Sequence, residues 1–307
     1  MDFFDLHCDS FTLCADKGLE PVKGATQLLL DERQGIENWI QLFAVFINDE
    51  VRGEKAFAAY RAYVCFIKKY AENNPSLLCL CKSWDEVEAA LAAGRCAGIL
   101  SIENAAALGG RLENIYEAAK DGVRAITLTW NGENEFARGC GEGGHLKPEA
   151  KELIQAMREL DIAPDVSHLS DEGLDEALSI DPGAFIATHS NLRTVNEVPR
   201  NLLPEHFCEI CARGGLVGLN LYTSFIKKDG EPALSDLLRH AYEMLSLGGE
   251  KALCMGSDFD GAQMPGFCRG SRDIPALFSS FAREFGEETA RGIFRGNASA
   301  FFKKLMS

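Results

Sequence analysis

The 307-residue sequence contains no apolar run of 18 or more residues, the length that a transmembrane helix needs. We also expect no secretion signal, because Asp2 follows Met1 directly, without a basic stretch or an apolar stretch. Positive charge is scarce: 31 Lys and Arg against 46 Asp and Glu give a formal net charge of −15. Such a chain repels phosphates and anionic lipid headgroups, so nucleic acid and membranes are not expected partners. We therefore expect a cytoplasmic protein.

The cysteines do not indicate a disulfide framework. There are 11 of them, an odd number scattered through apolar segments, and without a secretion signal we expect reduced thiols. Cys79 and Cys81 lack a second pair at zinc-finger spacing, so no structural zinc is expected there. Repeats, low-complexity tracts and linkers are absent as well, which favours one domain over residues 1–307.

Short apolar segments alternate with longer amphipathic ones along the whole chain. Strands are predicted at eight places: 3–9, 40–47, 96–103, 124–130, 162–168, 184–190, 215–222 and 252–259. Helices are predicted between them at 56–72, 84–94, 113–122, 148–160, 171–179, 205–215 and 235–249. Near-continuous apolar strands separated by helices indicate a parallel sheet that is covered on both faces.

Eight strand-helix units favour closure into a (β/α)8 TIM-type barrel of the α/β class. The alternative is an open doubly wound sheet. The first turn after a strand (HCDSFTLCADKG, 7–18) has no glycine-rich dinucleotide fingerprint, which argues against that alternative and against an oxidoreductase of that fold. Segment 10–39 and loop 131–147 are expected as insertions above the barrel.

Ionisable residues end five of the predicted strands. They are His7, Asp9, Glu103, His168, His189 and Asp258. The carboxyl ends of all strands meet at one face of a barrel, where barrel enzymes carry their catalytic residues. A single strand histidine is more often a hydrogen-bonded core residue than a ligand, but three of the six histidines ending strands favours ligands. The remaining three, His145, His206 and His240, fall in a loop or on helices, and only His145 could approach a substrate.

Imidazole nitrogens and carboxylate oxygens are good ligands for zinc and similar divalent ions. A single open catalytic zinc needs three protein ligands, so five suit two metal ions with Glu103 between them. Two such ions can hold and activate a hydroxide near neutral pH. Asp258 is then available to accept the proton of the attacking water and to pass it to the leaving group.

Six segments together resemble the membrane (renal) dipeptidase family, peptidase family M19 of the amidohydrolase superfamily. They are DLHCDS (5–10), SIENAA (101–106), DVSHLS (165–170), ATHSN (187–191), PRN (199–201) and GSDFDG (256–261). The resemblance implies a dipeptidase with two metal ions, most simply zinc: His7 and Asp9 on one, His168 and His189 on the other, and Glu103 bridging. It also implies Asp258 as the catalytic acid and base, and a homodimer.

For the substrate, the resemblance implies a dipeptide, with a D-residue tolerated at its C-terminal position. Arg200 matches the arginine that binds the terminal carboxylate, and Tyr222 matches a tyrosine that contacts substrate. One position departs from the family, because Trp130 stands where the animal enzymes have a substrate-binding histidine. An indole N–H donates one hydrogen bond but carries no charge, so Asn131 or Asn134 is expected to supply the missing donor.

Two alternatives therefore stay open. One is hydrolysis of other carboxylate-bearing amides, lactams or esters at the same site. The other is a weakly active or non-catalytic metal and peptide binder.

Overall fold

A closed barrel of parallel strands forms the centre of the computed structural model, which describes residues 1–20, 24–33 and 35–307. The strands in these residues are β1 (Phe3–Asp5), β2 (Trp39–Phe46), β3 (Leu78–Leu80), β4 (Cys96–Glu103), β5 (Val123–Thr127), β6 (Ala163–Asp165), β7 (Ile186–Ala187), β8 (Leu216–Leu219) and β9 (Leu253–Met255). The barrel runs β1-β2-β4-β5-β6-β7-β8-β9 and returns to β1. β3 pairs with the first residues of β4, beside the ring. The predicted (β/α)8 class is confirmed.

Helices surround this barrel and cover its outer face. In the described part of the chain they are α1 (Ser10–Lys17), α2 (Gly53–Asn73), α3 (Trp84–Ala92), α4 (Ile115–Asp121), α5 (Glu149–Glu159), α6 (Asp171–Ile180), α7 (Pro204–Ala212), α8 (Thr223–Ile226), α9 (Leu234–Ser246), α10 (Ile274–Phe285), α11 (Glu287–Arg291) and α12 (Asn297–Leu305). None of these helices combines the length and the hydropathy that crossing a bilayer requires.

Local signals explain several of the helix boundaries. The Ser83 hydroxyl accepts a hydrogen bond from the Glu86 N–H and so caps α3, and Ser170 caps α6 through the Gly173 N–H. α7 begins at Pro204, whose missing N–H costs nothing in a first turn.

The sequence did not predict β3, α1, α8 or the C-terminal helices α10 to α12. α1 occupies the start of the expected insertion 10–39, and residues 21–23 and 34 of that segment lie outside the described residues.

Most of the predicted strands are too long at their carboxyl ends, whereas the strand predicted at 96–103 matches β4. The strand predicted at 162–168 ends at Asp165, and that predicted at 252–259 ends at Met255. The backbone leaves the ladder where the polar residues begin, and His168 and Asp258 adopt the left-handed region with φ of 70° and 64°. Of the ionisable residues predicted to end strands, Glu103 lies within its strand and the others lie on the loops that follow.

The core has two parts, separated by the strands. The barrel interior holds one residue or more from each of the eight strands, together with residues of α3 and α12 that close its bottom. Its members from the strands are Phe4, Ile40, Leu42, Ala97, Ile99, Ala125, Ala163, Ile186, Leu216 and Cys254. A larger apolar cluster lies between the strands and the surrounding helices.

Two glycines allow β8 and β9 to approach β7 just below the predicted site. A Cβ atom on Gly218 would lie 2.0 Å from the Thr188 carbonyl oxygen, and one on Gly256 would lie 1.8 Å from the same atom. Both contacts are with backbone, which cannot move aside as a flexible side chain can. The position of His189, the next residue after Thr188, therefore depends on these two glycines.

We predict that Gly256→Ala lowers the free energy of unfolding by about 1–3 kcal/mol, the usual cost of overpacking, and more if β7 cannot shift. The matched control is Gly296→Ala, where the backbone is helical (φ −58°) and the nearest atom to a new Cβ lies at 3.5 Å. That control should stay within about 1 kcal/mol of the parent and be stabilising. Denaturant unfolding of the three proteins measures the difference. Equal stability of Gly256→Ala and the parent would contradict the close approach.

Candidate metal centre

The ionisable residues predicted from the sequence come together at the mouth of the barrel. His7 and Asp9 follow β1, Glu103 is the last residue of β4, His168 follows β6, and His189 follows β7. All five side chains are buried, with residue exposures between 1% and 7%. Asp258, on the loop after β9, joins them with 8% exposure.

The Glu103 carboxylate lies between two groups of side chains. Its Oε2 is 3.5 Å from His7 Nε2, which is in turn 3.3 Å from Asp9 Oδ2. Its Oε1 is 2.9 Å from His168 Nε2 and 3.6 Å from His189 Nε2. One carboxylate oxygen therefore faces His7, which in turn contacts Asp9, and the other faces His168 and His189.

Two buried atoms of this cluster have no hydrogen-bond partner, namely His7 Nε2 and Asp9 Oδ1. Such atoms are expensive inside a protein unless something binds them. Ligand atoms of His7, Glu103 and His189 lie within 4.8 Å of one another, and so do those of His7, Asp9 and Asp258. The donor set of nitrogen and oxygen atoms fits borderline divalent ions such as zinc.

The pKa shifts have the signs that suit a site for cations. Burial raises the pKa of Glu103 to about 7 and that of Asp258 to about 6, and the Asp9 carboxylate acts in the same direction on both, against the opposing effect of His7. Burial lowers the pKa of His168 and His189 well below the ordinary value, which keeps both rings neutral and able to bind metal. For His7 burial also acts downward, but the Asp9 and Glu103 carboxylates outweigh it and the pKa is raised.

Hydrogen bonds behind the cluster fix the orientation of two imidazoles. His168 Nδ1 donates to Asn131 Oδ1 at 2.9 Å, which leaves Nε2 free to bind a metal ion. His189 Nδ1 is 2.9 Å from the Thr188 hydroxyl, which donates to Asp165 Oδ2 at 2.5 Å and so accepts from the ring. Asp165 was not among the predicted site residues, although it lies within the segment DVSHLS.

Asn220 is a second residue that the sequence did not reveal, and it holds Asp258. It is fully buried, and its Nδ2 donates to Asp258 Oδ2 at 3.0 Å. Its Oδ1 accepts the Tyr222 N–H at 2.5 Å, so the amide cannot rotate without losing both bonds. Asn191 holds the Asn220 backbone through the N–H at 2.9 Å and the carbonyl at 3.0 Å. The only sequence signal for Asn220 was its place two residues before Tyr222.

Gly261, on the loop after β9, has no side chain, and this allows two carboxylates to lie close to its backbone. A Cβ atom there would lie 2.1 Å from Asp9 Oδ2 and 2.6 Å from Asp258 Oδ1. A side chain at this position would therefore displace two members of the cluster. The glycine of the segment GSDFDG thus has a steric reason.

A cavity of about 590 Å³ opens above the cluster, which is enough for a small peptide. Its walls come from α1, from the loops after β5 and β9, and from α8. The lining residues are Asp9, Thr12, Leu13, Asp16, Phe46, Glu103, Trp130, Asn131, His168, Tyr222, Phe225, Asp258, Asp260, Gly261, Ala262 and Gln263. Three of the predicted substrate-binding residues, Trp130, Asn131 and Tyr222, are therefore on the wall.

Arg200, the fourth predicted substrate-binding residue, is not on that wall. It is buried with 6% exposure, and its guanidinium donates to the Ser190 hydroxyl at 2.7 Å and to the His189 carbonyl at 2.8 Å. Its Nε has no partner, and the Phe225 ring lies 5.5 Å from its Cζ. Arg200 thus contacts His189 directly and keeps one free donor.

Four other polar residues considered in the sequence lie away from the cavity wall. His240 is fully buried between the Leu192 N–H and the Ile226 carbonyl, and His206 pairs with Asp175 at 2.8 Å. His145 is exposed and pairs with Glu176 at 2.7 Å. The Asn134 side-chain amide is hydrogen-bonded to Asn104, Leu128, Phe136 and Ala137. Asn131 is therefore better placed than Asn134 to contact a substrate.

The chain matches a known protein family along nearly its whole length. The model of the membrane dipeptidase family, peptidase family M19, matches residues 3–305. A solved structure described as dipeptidase AC, a metallopeptidase of family M19, superposes with a TM-score of 0.92 at 25% identity and covers 100% of this chain and 99% of that one. A metallopeptidase of Rhodobacter sphaeroides, solved with a phosphinate mimic of the dipeptide L-Ala-D-Ala, shares the fold with a TM-score of 0.92 at 23% identity, over 99% of each chain.

Two curated relatives are themselves described as uncharacterized. An uncharacterized protein in the pqqA 5′ region of Klebsiella pneumoniae is 27% identical over 229 residues, which are 71% of this chain and 84% of that protein. An uncharacterized dipeptidase of Schizosaccharomyces pombe is 32% identical over 161 residues, which are 50% of this chain and 38% of that protein.

We predict that Thr188→Val weakens divalent metal binding by about 10- to 100-fold, the usual effect of removing a group that orients a histidine ligand. The matched control is Thr127→Val. Thr127 donates to the same Asp165 Oδ2 at 2.8 Å and no hydrogen bond joins it to His189. Competition with a coloured chelator measures the affinity of each variant. Equal affinities for the two variants would mean that the Thr188 hydroxyl does not orient His189.

Proposed function

The chain belongs to the membrane dipeptidase family, peptidase family M19, and is thus a metal-dependent hydrolase; we propose that it hydrolyses dipeptides with two divalent metal ions, most simply zinc. The observation that carries the proposal is the placement of Glu103, with one carboxylate oxygen toward His7, which contacts Asp9, and the other toward His168 and His189. A carboxylate in that position suits a bridge between two ions.

The five candidate ligands would hold two metal ions. His7 and Asp9 would hold one ion, His168 and His189 the other, and Glu103 both. When bound, such ions act as a Lewis acid on the scissile carbonyl and supply an activated water at neutral pH. The unpartnered His7 Nε2 and Asp9 Oδ1 then gain the partners that their burial demands.

Asp258 is the proposed proton carrier. It accepts the proton of the attacking water and delivers it to the amine that leaves. Its carboxylate lies on the cavity wall near His7 and Asp9, and the hydrogen bond from Asn220 keeps Oδ2 in place while Oδ1 lies next to Gly261. Burial raises the Asp258 pKa to about 6, which brings it toward the pH at which a group can both accept and donate.

Arg200 is the proposed partner of the substrate's terminal carboxylate. The described cavity wall has no lysine or arginine, and the Arg200 guanidinium lies behind it against the Phe225 ring, which is part of the wall. Its buried Nε is a free donor, and burial already lowers its pKa, so an anionic partner would be favourable. Asn131 and Trp130 lie on the wall next to His168 and can donate to the oxygen of the tetrahedral intermediate.

We further propose a reducing compartment, such as the cytoplasm. All 11 cysteines are free thiols, and burial raises the pKa of several of them, for example that of Cys14 to about 12. Such thiols are protonated and unreactive at neutral pH. Tolerance of a D-residue at the C-terminal position and assembly as a homodimer stay predictions from the family.

We predict that the purified protein binds about two divalent ions per chain and hydrolyses dipeptides in a chelator-sensitive way. Asp258→Asn should keep both ions and lose at least about a hundredfold in kcat, since it removes the proton carrier but no proposed ligand. Elemental analysis and an assay with L-Ala–L-Ala and L-Ala–D-Ala measure both properties. An active Asp258→Asn variant would remove Asp258 from the mechanism, and a chain that takes up no metal would refute the whole site.

We predict that the wild-type protein hydrolyses L-Ala–L-Ala much faster than its C-terminal amide, by about tenfold or more in kcat/KM, because the amide lacks the charge that Arg200 binds. Arg200→Met should remove most of this preference by slowing only the free acid. If Arg200 merely supports His189, the variant would instead lose metal and slow both substrates alike. The ratio of the two kcat/KM values, with the metal content, separates these roles.

A further inference from the structure

The charge on the described cavity wall is one-sided. Five carboxylates line it, those of Asp9, Asp16, Glu103, Asp258 and Asp260, and none of the described lining residues is a lysine or an arginine. Three of them, Asp9, Glu103 and Asp258, belong to the candidate metal centre. The other two are not explained by the reaction.

Asp260 has a structural task. Its carboxylate accepts hydrogen bonds from the Ser10 hydroxyl, from the Gln27 N–H at 2.7 Å and from the Leu28 N–H at 3.3 Å. Gln27 returns a bond by accepting the Asp260 N–H at 2.6 Å. These bonds fasten the loop after β9 to the segment around Gln27 and leave Asp260 little capacity for a ligand.

Asp16 differs from Asp260, because only one of its two carboxylate oxygens has a hydrogen-bond partner among the described residues. Its Oδ1 accepts the Tyr63 hydroxyl at 2.6 Å, and the described residues offer its Oδ2 neither a hydrogen bond nor an ion pair. The residue lies on α1, which begins directly after the proposed ligand Asp9 and lines the cavity with Thr12 and Leu13 as well. Its distance from the metal centre is therefore fixed by one short helix.

Aromatic rings supply the apolar part of the same cavity. The Phe46 and Trp130 rings pack edge to face at 4.9 Å between centroids, and those of Tyr222 and Phe225 do so at 4.6 Å. Aromatic surfaces accept the methylene stem of a long side chain and tolerate a cation over their faces. A cavity wall that combines such rings with the unpartnered Oδ2 of Asp16 suits a long cationic side chain.

We propose that Asp16 is a binding subsite for a cationic side chain, an ammonium or a guanidinium, on one residue of the dipeptide. The inference rests on the proposed function, because it assigns the substrate class of the same cavity. The wild-type enzyme then prefers dipeptides that contain lysine over equally long uncharged ones. Because this contact pairs opposite charges at the mouth of an open cavity, added salt weakens the preference.

The test compares lysine with norleucine, which has a stem of similar length and no charge. kcat/KM is measured for Lys-Ala against norleucine-Ala and for Ala-Lys against Ala-norleucine, with the wild type, Asp16→Asn and the control Asp85→Asn. Asp85 is an exposed acid in the first turn of α3, away from the cavity, so its variant loses the same charge. Asparagine at position 16 can still accept the Tyr63 hydroxyl, which protects the fold.

In at least one of the two pairs we expect the wild type to favour lysine by about fivefold or more, in the range of hydrogen bonds to charged groups. Asp16→Asn should bring that ratio close to one, and Asp85→Asn should leave it unchanged. Added salt should also lower the wild-type ratio.

Two outcomes would overturn the subsite: wild-type ratios near one, or a ratio that survives in Asp16→Asn. If the ratio survives while the lysine and norleucine substrates both become slower by the same factor, Asp16 binds the backbone ammonium instead. Hydrolysis of none of the four dipeptides by metal-loaded wild type would instead defeat the proposed function, and the inference with it.

Discussion

The placement of the Glu103 carboxylate at the barrel mouth is the constraint on which the rest of the site depends. It is buried among two other carboxylates and three imidazoles, and burial raises its pKa because the protein supplies no adequate counter-charge. Divalent cations would resolve that conflict, and its two oxygens face different candidate ligands, one facing His7 and the other His168 and His189. The barrel makes the arrangement possible, because closure brings the ends of β1, β4, β6 and β7 to a single face.

Below this layer, a set of buried carboxylates and hydroxyls holds the ligands in place. Asp165 receives hydrogen bonds from Thr127, Thr188 and the Ser167 N–H, and through Thr188 it orients His189. Asp5 holds the loop that carries Asp258 in a similar way, because its carboxylate accepts hydrogen bonds from the Ser257 N–H at 2.7 Å and the Ser257 hydroxyl at 2.6 Å. The left-handed backbone at His168 and Asp258 persists because these bonds over-determine it.

The cavity above the metal centre has a clear electrostatic character. Its described wall is acidic and aromatic, and the arginine expected to meet the substrate lies just behind it, bound to His189 and Ser190. Recognition of a dipeptide would then use three kinds of contact: the metal centre at the scissile bond, Arg200 at the carboxylate and Asp16 at a cationic side chain. The position of Trp130 beside Phe46 and His168 makes the wall more apolar than a histidine would.

The sequence by itself determined the fold class and the identity of the six ionisable residues at the barrel mouth. Both follow from local patterns: alternation of apolar strands with amphipathic helices, and polar residues placed where strands end. It did not determine where the strands stop, because His168 and Asp258 leave the ladder through left-handed backbone that no pattern of apolar residues signals.

Tertiary structure alone decided which residues hold the candidate metal ligands in place and which residues line the substrate cavity. Asp165, Asn220 and Gly261 act through partners 23, 38 and about 250 residues away in the chain, so spacing could not reveal them. It also decided that Arg200 turns toward His189, that Asn131 rather than Asn134 reaches the cavity, and that α1 carries Asp16 onto its wall. The physical reason is that hydrogen bonds and close contacts between distant segments exist only after the barrel has closed.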